Sequence, residues 1–139
     1  MGNAYDRILK RQREWALSKN IKLAQDYTIR RDDNLFRPLN AATELELREG
    51  RGSELEPQRS APPKLHSLIS SAALVCNFFD PWRDGDVGLV ARACGAPPGT
   101  NKIVAFESRN PTRLRGSPPP LDVELGGGEV PVAVESKFM

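Results

Sequence analysis

The stretch LDVELGGGEVPVAVESK, residues 121–137, constrains the fold more than any other. Leu121, Val123 and Leu125 alternate with Asp122 and Glu124; Val132 and Val134 alternate with Ala133, Glu135 and Lys137. Side chains alternate faces along a strand, so each segment has one apolar and one polar face. The glycines at 126–128 join the two segments and predict a hairpin with a longer, flexible connection. Its apolar face has to be buried against another element.

The natural cover is KLHSLISSAALVCNFF, residues 64–79. Leu65, Leu68, Ile69, Ala72, Val75, Cys76 and Phe79 follow helical spacing, and Pro81 stands where a helix would stop. A narrower uncharged stripe holds His66, Ser70, Ala73 and Asn77, so burial on most sides is expected. His66 is the one histidine and is read as a capping or packing group at the helix start. KIVAFES (102–108) predicts a third strand. Residues 4–19 read as an amphipathic helix, 43–49 as a short helix ended by Gly50, and 87–93 as another. The expectation is an α/β (α+β) chain with a mixed sheet and a buried helix. Residues 1–42 form an N-terminal helical extension and 43–139 the core.

Net charge is +2, too small for a global field that would announce a polyanionic partner. Locally the chain is less even: residues 1–37 hold nine Lys/Arg against five Asp/Glu, and Arg109, Arg113 and Arg115 form a basic run. Cys76 and Cys94 make no disulfide framework and no CxxC pair, which argues against a secreted scaffold and against zinc. The N-terminus has no apolar signal core, and no run approaches the roughly 20 apolar residues of a membrane helix. A soluble protein of the reducing cytoplasm, without a membrane partner, is expected.

The polar hairpin face carries the chemistry. Asp122, Glu135 and Lys137 combine two carboxylates with an ammonium, a set suited to Mg²⁺ (or Mn²⁺) and to charge on a phosphoryl oxygen. One geometric objection stands: a symmetric turn centred on Gly127 sets Asp122 opposite Val132, about 10 Å from Glu135 at the usual rise. A bulge or break near Pro131 would be needed to close that offset.

Pro120-Leu121-Asp122, twelve intervening residues, then Glu135-Ser136-Lys137 resembles the motif of the PD-(D/E)XK nuclease superfamily, the restriction-endonuclease-like fold. GRGSELEP, PPKLHSLISSAALVCNFFDPWR, IVAFESRNPT and PPPLDVEL, in that order, look like one bacterial branch of it, over about residues 35–139. Ala72 departs from the polar residue that branch often carries on the helix. The resemblance implies a metal-dependent endonuclease acting on DNA. Asp122 and Glu135 would hold the metal with the Ser136 carbonyl, and Lys137 would assist the water. Glu54 and Glu107 are secondary metal candidates, and Arg109, Arg113 and Arg115 would flank the phosphate backbone. No small-molecule cofactor is expected, and a homodimer is compatible with the sequence. In that superfamily a helix and another strand follow the lysine strand. The sequence given ends two residues after Lys137, so it reads as the front of a longer or truncated product, with an incomplete sheet. Two other readings are an inactive nuclease-derived module that binds nucleic acid or protein, and an unrelated α+β interaction domain.

Overall fold

The alternation at 121–137 becomes part of an antiparallel meander in the computed structural model of the chain, which describes residues 3–50, 54–99, 101–110 and 115–137. Its strands β3 (Ile103–Ser108), β4 (Leu121–Gly126) and β5 (Val132–Val134) lie side by side in that order. Val104 pairs with Leu125 and Phe106 with Val123, and all four are buried, which makes one apolar face. Every strand pairing among the described residues is antiparallel, so the class is α+β and the expected mixed sheet does not form. These strands are consecutive in sequence, and among the described residues no crossover helix joins them as a parallel pair would require. β5 is also shorter than the segment 130–138 expected for it. Pro131 has no N–H for the ladder, and the Ser136 N–H goes to the Asp122 side chain instead of a backbone carbonyl.

The glycine connection is held in place. Asn101 is buried, and its Nδ2 donates to the carbonyls of Leu125 at 2.9 Å and Val130 at 3.0 Å, which clamps both ends of the loop. Gly127 takes φ +79, and a Cβ on Gly128 would sit 2.9 Å from Asn101 Oδ1. Asn101→Ala leaves the buried Leu125 carbonyl without this donor, and Gly128→Ala pushes the clamp apart. Each is expected to cost about 1–3 kcal/mol. The urea midpoint reads this directly, and a midpoint unchanged in both variants would mean that the loop is not clamped.

Helix α3 (Ser71–Phe79) covers the apolar sheet face with Ala73, Val75, Cys76 and Phe79. The single helix expected over 64–79 is divided: Lys64–His66 is a 3₁₀ turn, and Ser70 caps α3, its Oγ accepting from the Ala73 N–H at 3.0 Å. Serine offers the backbone this local alternative to continuing a helix. Leu65 and Leu68 are buried on the other side of the break, which is why the apolar period ran through it. His66 packs as expected, though outside the helix. Its Nδ1 lies 2.9 Å from the Thr28 carbonyl and donates to it, and its own carbonyl accepts from the Thr28 hydroxyl at 3.3 Å.

The N-terminal segment docks through a small cluster of its own. Helix α1 (Ala4–Ser18), capped by Asn3, buries Leu9 and Ala16 against Leu68. It is followed by the two-residue strands β1 (Leu23–Ala24) and β2 (Tyr27–Thr28). Helix α2 (Ala41–Glu49) lies along β3, where Glu46 Oε2 accepts the Phe106 N–H at 2.9 Å and so covers that sheet edge. Helix α4 (Val87–Ala93), capped by Asp86, adds Val87, Val90 and Ala91 to the main core.

A buried polar network, unmarked by any period in the sequence, joins three of these elements. Asp80 is 1% exposed and accepts from the Thr43 hydroxyl and from the Asn40 N–H at 3.1 Å. Arg83 Nε donates to Thr43 Oγ1 at 2.6 Å, its Nη2 pairs with Glu46, and its guanidinium lies 5.4 Å from the Phe106 ring centroid.

Candidate carboxylate site

Asp122 is the second residue of β4, and the end of β3 beside it departs from regular strand geometry. The register joins Phe106 to Val123 and Ser108 to Leu121 but steps over Glu107 and Asp122. Glu107 takes φ +52, a left-handed conformation that costs a non-glycine residue of order 1–3 kcal/mol and that collects at functional sites. Gly50, at the end of α2, makes room for it: a Cβ there would lie 2.8 Å from Glu107 Cγ. Glu107 Oε2 is buried without a hydrogen-bond partner among the described residues.

Three carboxylates feel one another here. Burial lifts the pKa of Glu107 above the usual carboxylate range, and the charges of Glu54 and Asp122 lift it further, while Lys64 and Arg109 pull it back. Burial also lifts Glu54, with Lys64 opposing and Asp122 adding to the rise. Lys64 Nζ stands 3.5 Å from Glu54 Oε1. Cys76 lies within reach of the same field, and its thiol is pushed up to about 12, chiefly by burial. It is an inert core residue, as its place in the apolar pattern suggested.

The expected mismatch between Asp122 and Glu135 is absent. β4 and β5 pair Val123 with Val134 and Leu125 with Val132, so one further step sets Asp122 opposite Glu135. The turn is centred beyond Gly128 rather than on Gly127. Asp122 Oδ2 then accepts the Ser136 N–H at 2.6 Å and holds the Glu135-Ser136-Lys137 segment to the start of β4. Glu135 and Lys137 themselves are exposed and Ser136 is half-buried. Arg109 acts on Glu107, Arg115 is exposed, and Arg113 lies outside the described residues. The charge of Asp122 is felt by Glu54 and Glu107, the two secondary candidates, while Glu135 stands opposite Asp122 and is exposed. Sequence reasoning did not single out Lys64, which follows two prolines and opens the segment 64–79, read there only for its apolar spacing.

Among the described residues no three His, Cys, Asp or Glu side chains are already drawn into a metal-holding group. No described helix is long and apolar enough to cross a membrane. No protein-family model, curated protein or solved structure matches the chain.

The raised carboxyl pKa values have a definite thermodynamic sign. Folded Glu54 and Glu107 hold protons to higher pH than the unfolded chain does, so their contribution is complete below the ordinary value of 4.5 and is lost as pH rises through the folded values. At neutral pH both carboxylates oppose folding. Glu107→Gln removes one charge and is expected to stabilise the protein at pH 7 by about 1 kcal/mol. It should also flatten the decline in melting temperature above pH 4.5. A decline as steep as in the wild type would count against the clustering.

Proposed function

We propose that this protein is a metal-dependent nuclease that hydrolyses DNA phosphodiester bonds at the site built on Asp122. The convergence of Asp122, Glu54 and Glu107, with the unpartnered Oε2 of Glu107 among them, carries the reading. Carboxyl groups whose pKa is raised by burial and by a neighbouring negative charge, as in Glu54 and Glu107, are a functional signature. The donor set is oxygen only, which fits Mg²⁺ or Mn²⁺ and not a soft metal. Asp122, Glu107 and Glu54 would hold the ion, with Glu135 and the Ser136 carbonyl brought alongside by the Asp122–Ser136 hydrogen bond. When bound, the ion supplies Lewis acidity and an activated water.

The chain's own residues do the rest. Lys137 and Lys64 are the ammonium groups available to offset negative charge growing on the phosphoryl oxygens. Arg109 adds positive charge beside Glu107, where a phosphate backbone would pass. The strained backbone at Glu107 and the clamped β4–β5 loop hold the carboxylate-bearing segments still, so little reorganisation is needed at the site. Mg²⁺-dependent nicking of supercoiled plasmid, lost on EDTA treatment and in Asp122→Asn, is the test.

One observation favours a second reading, a nuclease-derived module that binds without cutting: no three acidic side chains among the described residues are gathered tightly enough to hold an ion. On that reading Mg²⁺ raises neither the melting temperature nor any nicking.

A further inference from the structure

Helix α3 has a second, uncovered face. Leu74 and Phe78 point away from the core and are 46% and 57% exposed. Leu74 is shared by two adjoining hollows. One is lined by Arg11, Trp15, Phe36 and Asn77. The other is lined by Phe78 with Glu135, Ser136 and Lys137, and so ends at the segment bonded to Asp122. Together they make a groove along α3 from the basic face of α1 to the carboxylate site.

The chemistry of this groove selects its occupant. The side chains of Arg11 and Lys137, near its two ends, make no ion pair or hydrogen bond among the described residues, and neither does the side chain of Arg7 one turn before Arg11. The Phe36 ring is 81% exposed, yet its backbone is held: its N–H donates to Asn77 Oδ1 at 2.7 Å, and Asn77 Nδ2 donates to the Asn34 carbonyl at 3.1 Å. Exposed rings on a held backbone, flanked by unpaired cations, suit stacked bases and their phosphates. A duplex keeps its base faces stacked inside, so only an unpaired strand can use the rings. Among the described residues Glu135 is the one carboxylate in the groove, and it stands at the end that reaches Asp122.

We propose that the groove along α3 binds single-stranded DNA, with bases against Phe36 and Phe78 and phosphates on Arg11 and Lys137. This rests on the nuclease reading for what becomes of the strand, though not for the binding. Fluorescence anisotropy of a labelled thymidine strand of about 10 nucleotides, titrated with the full chain in EDTA, separates the two. Phe36→Ala and Phe78→Ala, both at exposed positions, are each expected to weaken binding by about tenfold. Arg11→Gln should lower the salt slope of log K by about one. A duplex of the same length should compete at least about tenfold more weakly than the strand. Binding in EDTA without Mg²⁺-dependent cleavage would uphold the groove and sink the nuclease. The groove is overturned by equal competition from duplex, by unchanged affinity in both phenylalanine variants, or by displacement of the strand by an acidic polypeptide at equal charge. Tighter binding of a uridine strand overturns the assignment to DNA. Self-association that Phe78→Ala abolishes, without strand binding, makes the face a contact between copies and also overturns it.

Discussion

Asp122→Asn should cut Mg²⁺-dependent plasmid nicking by at least about 100-fold while leaving the fold intact, a loss no smaller than that seen when a group supporting a metal ligand is removed. Asparagine keeps an oxygen to accept the Ser136 N–H, so the tie between β4 and the Glu135-Ser136-Lys137 segment survives. The negative charge is lost, and with it one hard donor for the cation. Glu54 and Glu107 would lose a repelling neighbour, so their pKa values should move back toward the usual range. Thermal melts with and without Mg²⁺ give a readout independent of turnover. Mg²⁺ should raise the melting point of the wild type by mass action and leave Asp122→Asn where it is. Lys64→Met and Lys137→Met then separate the two ammonium groups, since the one that offsets transition-state charge lowers nicking without weakening Mg²⁺ stabilisation. Equal nicking by wild type and Asp122→Asn would sink the assigned site.

Asp80→Ala should be the most destabilising single change in the described core, costing about 3–5 kcal/mol. Asp80 is 1% exposed and accepts from the Thr43 hydroxyl and the Asn40 N–H, with Arg83 and Arg37 both 3.8 Å away. Removing it leaves the Arg83 guanidinium, whose side chain is 13% exposed, with Glu46 as its one remaining acid partner among the described residues, and loosens α2 from the turn that follows α3. Against the 5–15 kcal/mol typical of a folded domain, that is a large share, equivalent to a fall of about 10–20 °C in melting temperature. Asp80→Asn keeps the shape and an acceptor and should lose less. A double-mutant cycle between Asp80→Ala and Arg83→Met should show at least about 1 kcal/mol of coupling. Additive effects would mean that the two residues do not act as one network. Such a collapse would reach the carboxylate site too, because Glu46 of the same network holds the edge of β3 at Phe106, one residue before Glu107.

Much of this architecture was written locally. Alternation in Leu121–Leu125 and Val132–Val134 determined two strands and which face of each is apolar. Helical spacing determined α1, α3 and α4, and cap residues at Asn3, Asn40, Ser70 and Asp86 set where helices begin. Each rests on steric or hydrogen-bonding preferences acting over a few residues, which is the range a linear pattern can express. The same locality explains the error over 64–79, where two apolar segments in phase looked like one helix until Ser70 cut them.

The site was legible only in part. Asp122, Glu54 and Glu107 could be named as acids, but their meeting depends on positions 54, 107 and 122 being brought together by separate elements. No period links such distant residues, and Lys64 carried no signal at all. The β4–β5 register was likewise decided by tertiary structure: Asn101, outside the hairpin, clamps Leu125 and Val130 and shifts the turn so that Asp122 faces Glu135. The sequence by itself determined the strands, the caps and the apolar faces. The packing of α2 on β3, the left-handed turn at Glu107 and the Asn101 clamp decided which charged groups meet, because contacts between distant residues exist only once the chain has folded.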